Sequence, residues 1–202
     1  MTDNPSPRLI LASQSAARQA LLRGAKVEFA ALPADLDERA IEQSSRLADA
    51  SAVAALLAKE KALHVGRAHP GAYVIGADQT LALGIRVFSK ADDRAQAREQ
   101  LKALSGRIHE LHSAVAVVKD GDVLFESVST ARMTMRSLSD TRLDAYLDLA
   151  GNAVTASVGG YQLEGAGVHL FERIEGDYFT ILGLPLLPLL NFLRGLGLAP
   201  LP

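Results

Sequence analysis

The chain has 202 residues, 49% of them hydrophobic, enough to bury a sizeable core without a covalent or metal staple. It contains no cysteine, which excludes a disulfide framework, a thiolate zinc site and a cysteine nucleophile, and leaves oxygen or imidazole as the only metal ligands. With 21 basic against 23 acidic residues, the net charge of −2 offers no broad attraction for nucleic acid or anionic lipid, so a polyanionic substrate needs a local basic pocket.

The leading MTDNPSPR lacks the basic start and long apolar core of a secretory signal, and the LILA that follows is too short to span a bilayer. The C-terminal ILGLPLLPLLNFLRGLGL is broken by Pro185, Pro188, Asn191 and Arg194, which suits a buried helix better than a membrane span. These features predict a soluble, cytoplasmic protein with neither membrane nor nucleic acid as partner.

In chain order, Arg8 to Ala12 reads as a strand, Ser13-Gln14-Ser15 as a polar turn, and AARQALLRG as a helix ending at Gly24. Such a junction points backbone N–H groups and the positive end of a helix dipole at the turn, a natural anion site reinforced by the hydroxyls of Ser13 and Ser15. VEFAALP predicts a second strand, followed by a polar segment carrying Asp35, Asp37 and Glu38. The spacing of Leu47, Val53, Leu56, Leu57 and Leu63 predicts a helix from about Ser44 to His69, with Lys59 and Lys61 near its end. AYVIGADQTLAL reads as a buried strand interrupted by Gly76 and Asp78, and Asp92 to Leu104 as another helix. HELHSAVAVV and VLFESVSTARMTM then pair as a hairpin across Lys119-Asp120-Gly121-Asp122. A helix from Ser139 to Leu149, a glycine-rich segment from Gly159 to Gly167, a strand at VHLFERI and a closing helix after Pro185 complete the chain. Strands that alternate with helices and then give way to a hairpin predict an α/β fold with a mixed sheet, in one domain or two small lobes sharing a cleft.

Asp78 stands out because it directly follows the apolar AYVIGA, where a carboxylate needs a partner or a task. At a strand end it either caps the next turn or opens into a cleft as a metal ligand or general base. Other acids (Asp37, Glu38, Asp92, Asp93) and cations (Arg18, Lys61, Lys90) lie dispersed along the chain. Phosphoryl chemistry needs this mixture, since a divalent cation and cationic side chains together neutralise charge on phosphate oxygens. Taken singly, Lys61 reads as a solvated helix lysine and Asp92 or Asp93 as a helix cap. No G-x-x-x-x-G-K-[ST] is present, and Gly165-Ala166-Gly167 lacks the third glycine and precedes a strand, which speaks against a P-loop or dinucleotide fold. His109 and His112, three apart on an alternating strand, fall on opposite faces and do not suit a shared zinc. Ser105-Gly106 has no nucleophile-elbow context.

Taken together, LILASQSAAR, Asp37-Glu38, AKEKA (Ala58 to Ala62), VIGADQ ending at Gln79, SKADD, LSGRIH, EGAG and EGDYFTILGLPL resemble, in order and spacing, the motifs of the Maf family from Leu9 to about Gly197. The resemblance implies a single Maf-like domain over residues 1–202, an elongated mixed sheet flanked by helices, and two lobes around a deep cleft, as in inosine triphosphatase-like folds. It implies a house-cleaning hydrolase that cuts nucleoside triphosphates to the monophosphate and pyrophosphate with a divalent cation, Mg2+ or Mn2+, and members that are commonly homodimers. Asp78 matches the family's catalytic aspartate, and Ser13, Ser15, Arg18, Lys61 and Lys90 its phosphate-binding groups. Glu38 and Asp93 match acids that, with Asp78, lie near the metal.

The departures bear on specificity. Ser15-Ala16-Ala17-Arg18 stands where the family has S-P-R-R or S-P-W-R, so the base-selecting side chain shrinks to a methyl at Ala17. Gln79 and Glu164 resemble the 7-methylguanosine-triphosphate branch rather than the dTTP and UTP branch, and a carboxylate at Glu164 suits the N1–H and exocyclic amine of a guanine. Ala156-Ser157-Val158-Gly159 replaces D-K-A-G and removes one lysine. The loss at Ser157 and the small Ala17 favour a second reading, a nucleotide-binding regulator linked to cell division with little catalysis.

Overall fold

A computed structural model describes residues 8–201, and the leading MTDNPSP read above for a signal lies outside them. β1 (Leu9–Ala12) is buried along its length and leads into α1 (Ala16–Gly24), which Ser15 caps by accepting the Arg18 N–H. The second strand shrinks to β2 (Ala30–Ala31), because β1 is only four residues long and pairs with it only at Ile10 and Leu11. Where a polar segment and one long helix were expected, two helices stand: α2 (Glu38–Ser45), capped by Asp37, and α3 (Ala50–Arg67), capped by Asp49. Arg46 in the left-handed region, at φ 54°, and the Asp49 cap break a periodicity that otherwise runs through.

β3 (Tyr73–Leu83) is an unbroken strand of eleven residues, so Gly76 and Asp78 do not interrupt it and Asp78 does not end it. The strand continues because Leu81 to Leu83 pair antiparallel with β4 (Arg86–Phe88) across a two-residue turn that opens with Gly84 at φ 60°. Asp93 caps α4 (Arg94–Leu104). β5 (Ile108–Lys119) and β6 (Asp122–Met135) form the expected hairpin, with Asp120 and Gly121 both at positive φ as a type I′ turn requires. α5 (Asp140–Ala150) begins after its cap Ser139. A 3-10 turn at Gly151–Thr155 follows α5, and a second at Ala166–Leu170 shortens the next strand to β7 (Phe171–Glu175); the short α6 (Tyr178–Ile181) precedes α7 (Leu186–Gly195). The sheet has seven strands in the order β2-β1-β3-β5-β6-β7, with β4 beside β3; β1 to β3 are parallel and the hairpins antiparallel, so the mixed α/β fold holds. Among the described residues no helix is long and apolar enough to cross a membrane.

The chain divides into two compact units. The first takes the chain up to Gln79, Ser113–Ser129 and everything from Gly183 on. Its core places α3 against β1, β3 and β5: Ala62 and Val65 meet Ile10, Val74 and Val118, while Ala54 and Ala58 meet Ala114 and Ala116. The second holds Thr80–His112 and Thr130–Leu182 around Leu81, Leu101, Leu104, Met133, Leu143 and Leu147.

In the first unit one contact decides the depth of packing. A Cβ on Gly76 would run into the carbonyl oxygen of Ala58 and come within 2.7 Å of the Ala62 nitrogen, so α3 lies on β3 backbone to backbone. Only glycine on the strand, facing the small residues Ala58 and Ala62 one turn apart on the helix, permits that approach.

Candidate active site

Lys61 lies on α3 between Ala58 and Ala62, and the close approach at Gly76 carries it to Asp78, two residues further along β3. Its Nζ stands 2.6 Å from Asp78 Oδ1 and 2.9 Å from Glu38 Oε1. Lys61 and Asp78 are each 7% exposed, so this lysine is not a solvated helix residue, and the carboxylate sits within the strand rather than at its lip.

Arg18, on the first turn of α1, faces the same place. Its Nε donates to the Gly183 carbonyl at 2.8 Å, and its Nη1 donates to the Ala77 carbonyl at 2.9 Å and to Ser13 Oγ at 3.4 Å. Ser13 is buried, and its hydroxyl also accepts the Ser15 N–H. The turn after β1 is therefore already folded around the guanidinium. Gly183 is a partner that residue types did not announce: it lies at φ 90°, and a side chain there would press on Arg18 at 3.3 Å.

Burial raises the Asp78 pKa above its ordinary 3.8; the charges of Lys61 and Arg18 and the Lys61 hydrogen bond oppose that rise, and Glu38 adds to it. Burial lowers the proton affinity of Arg18, while Asp78 and Glu38 restore it, and a guanidinium keeps its proton throughout. Glu42, one turn beyond Glu38 on α2, was missed. Burial raises its pKa first, then repulsion from Asp78 and Glu38, with Arg39 in opposition. The signal was its four-residue spacing from Glu38, hidden because this segment was not read as helix.

The other expected residues are placed as follows. Ala17 is half-buried on α1, and the Gln79 amide donates to Ser113 Oγ at 2.9 Å. Lys90, Asp93 and Glu164 belong to the second unit. There, Lys90 bridges to Val158, Asp93 Oδ1 accepts the Gln96 N–H at 2.7 Å, and Glu164 is exposed in the turn before the second 3-10 segment. Ser157 donates its hydroxyl to the Tyr161 carbonyl. The two histidines take separate partners, buried His109 with the Tyr161 hydroxyl and His112 with the Thr130 hydroxyl.

Among the described residues no three His, Asp or Glu side chains form a metal cage by themselves. Glu38 and Asp78, however, converge on one ammonium, and two such carboxylates suit a magnesium-like ion that takes one or two protein ligands and fills its shell with water and phosphate oxygens. The chemistry of this donor set therefore fits a hard divalent cation. A buried carboxylate with elevated proton affinity, two fixed cations and a serine turn can hold a phosphate and take a proton from water.

Comparison with known proteins agrees with this chemistry. The model of the family described as Maf-like protein matches residues 8–196. A nucleoside triphosphate pyrophosphatase of Bradyrhizobium diazoefficiens is 64% identical over 92% of this chain and 92% of its own. A 7-methyl-GTP pyrophosphatase of Rhizobium meliloti is 53% identical over 95% of this chain and 97% of its own. Among solved structures, that of a Ham1 protein from Coxiella burnetii is remotely similar, with a TM-score of 0.41 at 19% identity, covering 63% of this chain and 72% of that one.

Proposed function

The chain belongs to the Maf-like family, and from that premise we propose that it is a nucleoside triphosphate pyrophosphatase, releasing a nucleoside monophosphate and pyrophosphate. The observation that carries this reading is the buried Asp78–Lys61 pair with Glu38 on the same ammonium, and Arg18 tied into the same unit of the protein. A regulator without catalysis is not favoured, because relatives covering nearly the whole chain carry enzyme names and the charged residues of the site are present.

In this reading the serine turn and the start of α1 receive phosphate oxygens, with Arg18 and Lys61 offsetting their charge. Asp78 takes a proton from a water whose oxygen attacks the α phosphorus. The bond from that phosphorus to the bridging oxygen breaks, and its electron pair leaves with pyrophosphate. When bound, a divalent cation such as Mg2+ or Mn2+ polarises the phosphate oxygens and lowers the pKa of its water. Glu38 and Asp78 are the residues of the first unit that would hold it. Lys61 keeps Asp78 oriented and stabilises it as a carboxylate until it accepts the proton.

For the base we infer a guanine-like nucleotide, with Gln79 and Ala17 of the first unit as selecting positions. The Rhizobium meliloti relative named for 7-methyl-GTP supports this. The test is a panel of canonical and N7-methylated triphosphates with Mg2+ or Mn2+, scored for pyrophosphate. Release of pyrophosphate with one base preferred is expected. Saturable binding without release, or orthophosphate as first product, overturns the reading.

A further inference from the structure

Arg18 is tied to the protein more heavily than a side chain kept only for a ligand needs to be. Its Nε donates to the Gly183 carbonyl at 2.8 Å, and its Nη1 donates to the Ala77 carbonyl at 2.9 Å and to Ser13 Oγ at 3.4 Å. Three of the five guanidinium N–H groups are thereby engaged within the first unit, and among the described residues Nη2 has no acceptor. Neither edge of the fork is left whole, since one has given up Nε and the other Nη1. Bidentate capture of an oxyanion is closed, and a phosphate meets Arg18 through Nη2 and through charge.

These bonds lead to Asp78. The Ala77 carbonyl belongs to the peptide plane that carries the Asp78 nitrogen, so Arg18 fixes the orientation of that plane and the direction in which the Asp78 side chain leaves the strand. β1 ends at Ala12, opposite Gly76, so its ladder with β3 stops just short of this peptide. Gly183 in turn fixes Arg18. Its carbonyl reaches Nε from φ 90°, a conformation that residues with a side chain rarely adopt, and a Cβ there would stand 3.3 Å from Nε and 3.4 Å from Nη2, tighter than ordinary contact. Leu184 beside it is fully buried, which holds this stretch of backbone in place.

We propose that Gly183 is a positioning residue for the general base: through Arg18 it holds the Ala77–Asp78 peptide, and with it the Asp78 carboxylate, against Lys61. This rests on the reading of Asp78 as the proton acceptor of a pyrophosphatase. Gly183 acts through Arg18 rather than on the reacting atoms, so disturbing it slows the chemical step and leaves capture of the triphosphate largely as it is.

The experiment is a double-mutant cycle on the full chain, read as kcat and KM for pyrophosphate release with Mg2+. Gly183→Ala should lower kcat by about tenfold with KM within about threefold, because a displacement of a few tenths of an ångström is passed on to Asp78. Arg18→Lys, which keeps the charge and drops the ties, should lower kcat by about thirtyfold with KM again within about threefold. In the Arg18→Lys background Gly183→Ala should cost less than about threefold, because the route from Gly183 to Asp78 is already cut. A strained turn with no link to Asp78 costs the same in both backgrounds, and that result overturns the inference. So does an unchanged kcat for Gly183→Ala, or a rise in KM at unchanged kcat for either variant. Where Gly183→Ala does not fold, as judged by circular dichroism, the division of the Arg18→Lys effect between kcat and KM decides by itself. A parent protein that releases no pyrophosphate, or an Asp78→Asn variant at the parent's rate, overturns the reading of the site and this inference with it.

Discussion

Gly76→Ala tests whether the site is positioned by the contact between α3 and β3. The added methyl would sit 2.7 Å from the Ala62 nitrogen and inside the carbonyl oxygen of Ala58, both main-chain atoms that no rotamer change removes. Ordinary contact needs roughly 3.5 Å, so the Ala62 contact alone makes α3 retreat by about 1 Å, and the nearer Ala58 carbonyl demands more. Overpacking of this kind costs about 3 kcal/mol, the upper part of its usual range, because backbone faces backbone. The retreat carries Lys61 with it, since that residue lies between the two points of collision, and the 2.6 Å contact to Asp78 lengthens. A displacement of about 1 Å in a catalytic constellation lowers kcat/KM on the order of a hundredfold. Urea unfolding and steady-state pyrophosphate release read the two effects on one preparation. Ala62→Gly should not rescue the variant, because the obstruction is main chain. An unfolding free energy within about 0.5 kcal/mol of the parent, or rescue by Ala62→Gly, would refute the account.

Asp78→Asn should leave the circular dichroism unchanged and lower kcat by about a thousandfold, and a rate within tenfold of the parent would remove Asp78 from the mechanism. In the parent, kcat/KM should rise with pH through the raised pKa of Asp78. The stability of protonated Asp78 runs the other way: it is complete below the ordinary 3.8 and lost as pH rises through the higher folded value, so the Asn variant should gain on the parent toward neutrality in thermal unfolding. Arg18→Lys keeps the charge but not the fork that joins Gly183, Ala77 and Ser13, and should lower kcat/KM by about thirtyfold, checked by initial rates; a threefold change or less would count against the fork. His109 is held neutral by burial, its pKa lowered from 6.5 to about 4. Its contribution is present above 6.5 and lost as pH falls toward 4, about 3 kcal/mol at about 1.4 kcal/mol per pH unit. His109→Gln should flatten that slope in urea titrations, and parallel slopes for the two proteins would exclude His109 as its source.

Most of the alternation of strand and helix was legible because apolar periodicity and caps agree, as at β1, the Ser15 cap and α1. The Asp120-Gly121 turn was legible for the same reason, since few residue pairs accept two positive φ values. α2 was not, because none of its residues is buried and the contact that fixes Glu38 comes from Lys61 on another helix. The extent of β3 was legible but its continuity was misjudged, because a glycine and an aspartate are poor strand residues on propensity, and packing against α3 overrides propensity. Residue types identified Asp78, Lys61 and Arg18 as candidates, but not their geometry. Lys61 as the bridge between two acids, and the Gly183 carbonyl as the anchor of Arg18, are contacts across 17 or more residues of chain that no local pattern encodes.

The unit that holds Asp78 is stitched from the start of the chain, from residues 113–129 and from the stretch beginning at Gly183. On a ribosome its last piece, with the carbonyl that Arg18 needs, is synthesised more than a hundred residues after Lys61 and Asp78. A growing chain therefore carries its acids and cations long before it can lock them in place. Competence for hydrolysis should therefore not precede synthesis of the segment that carries Gly183.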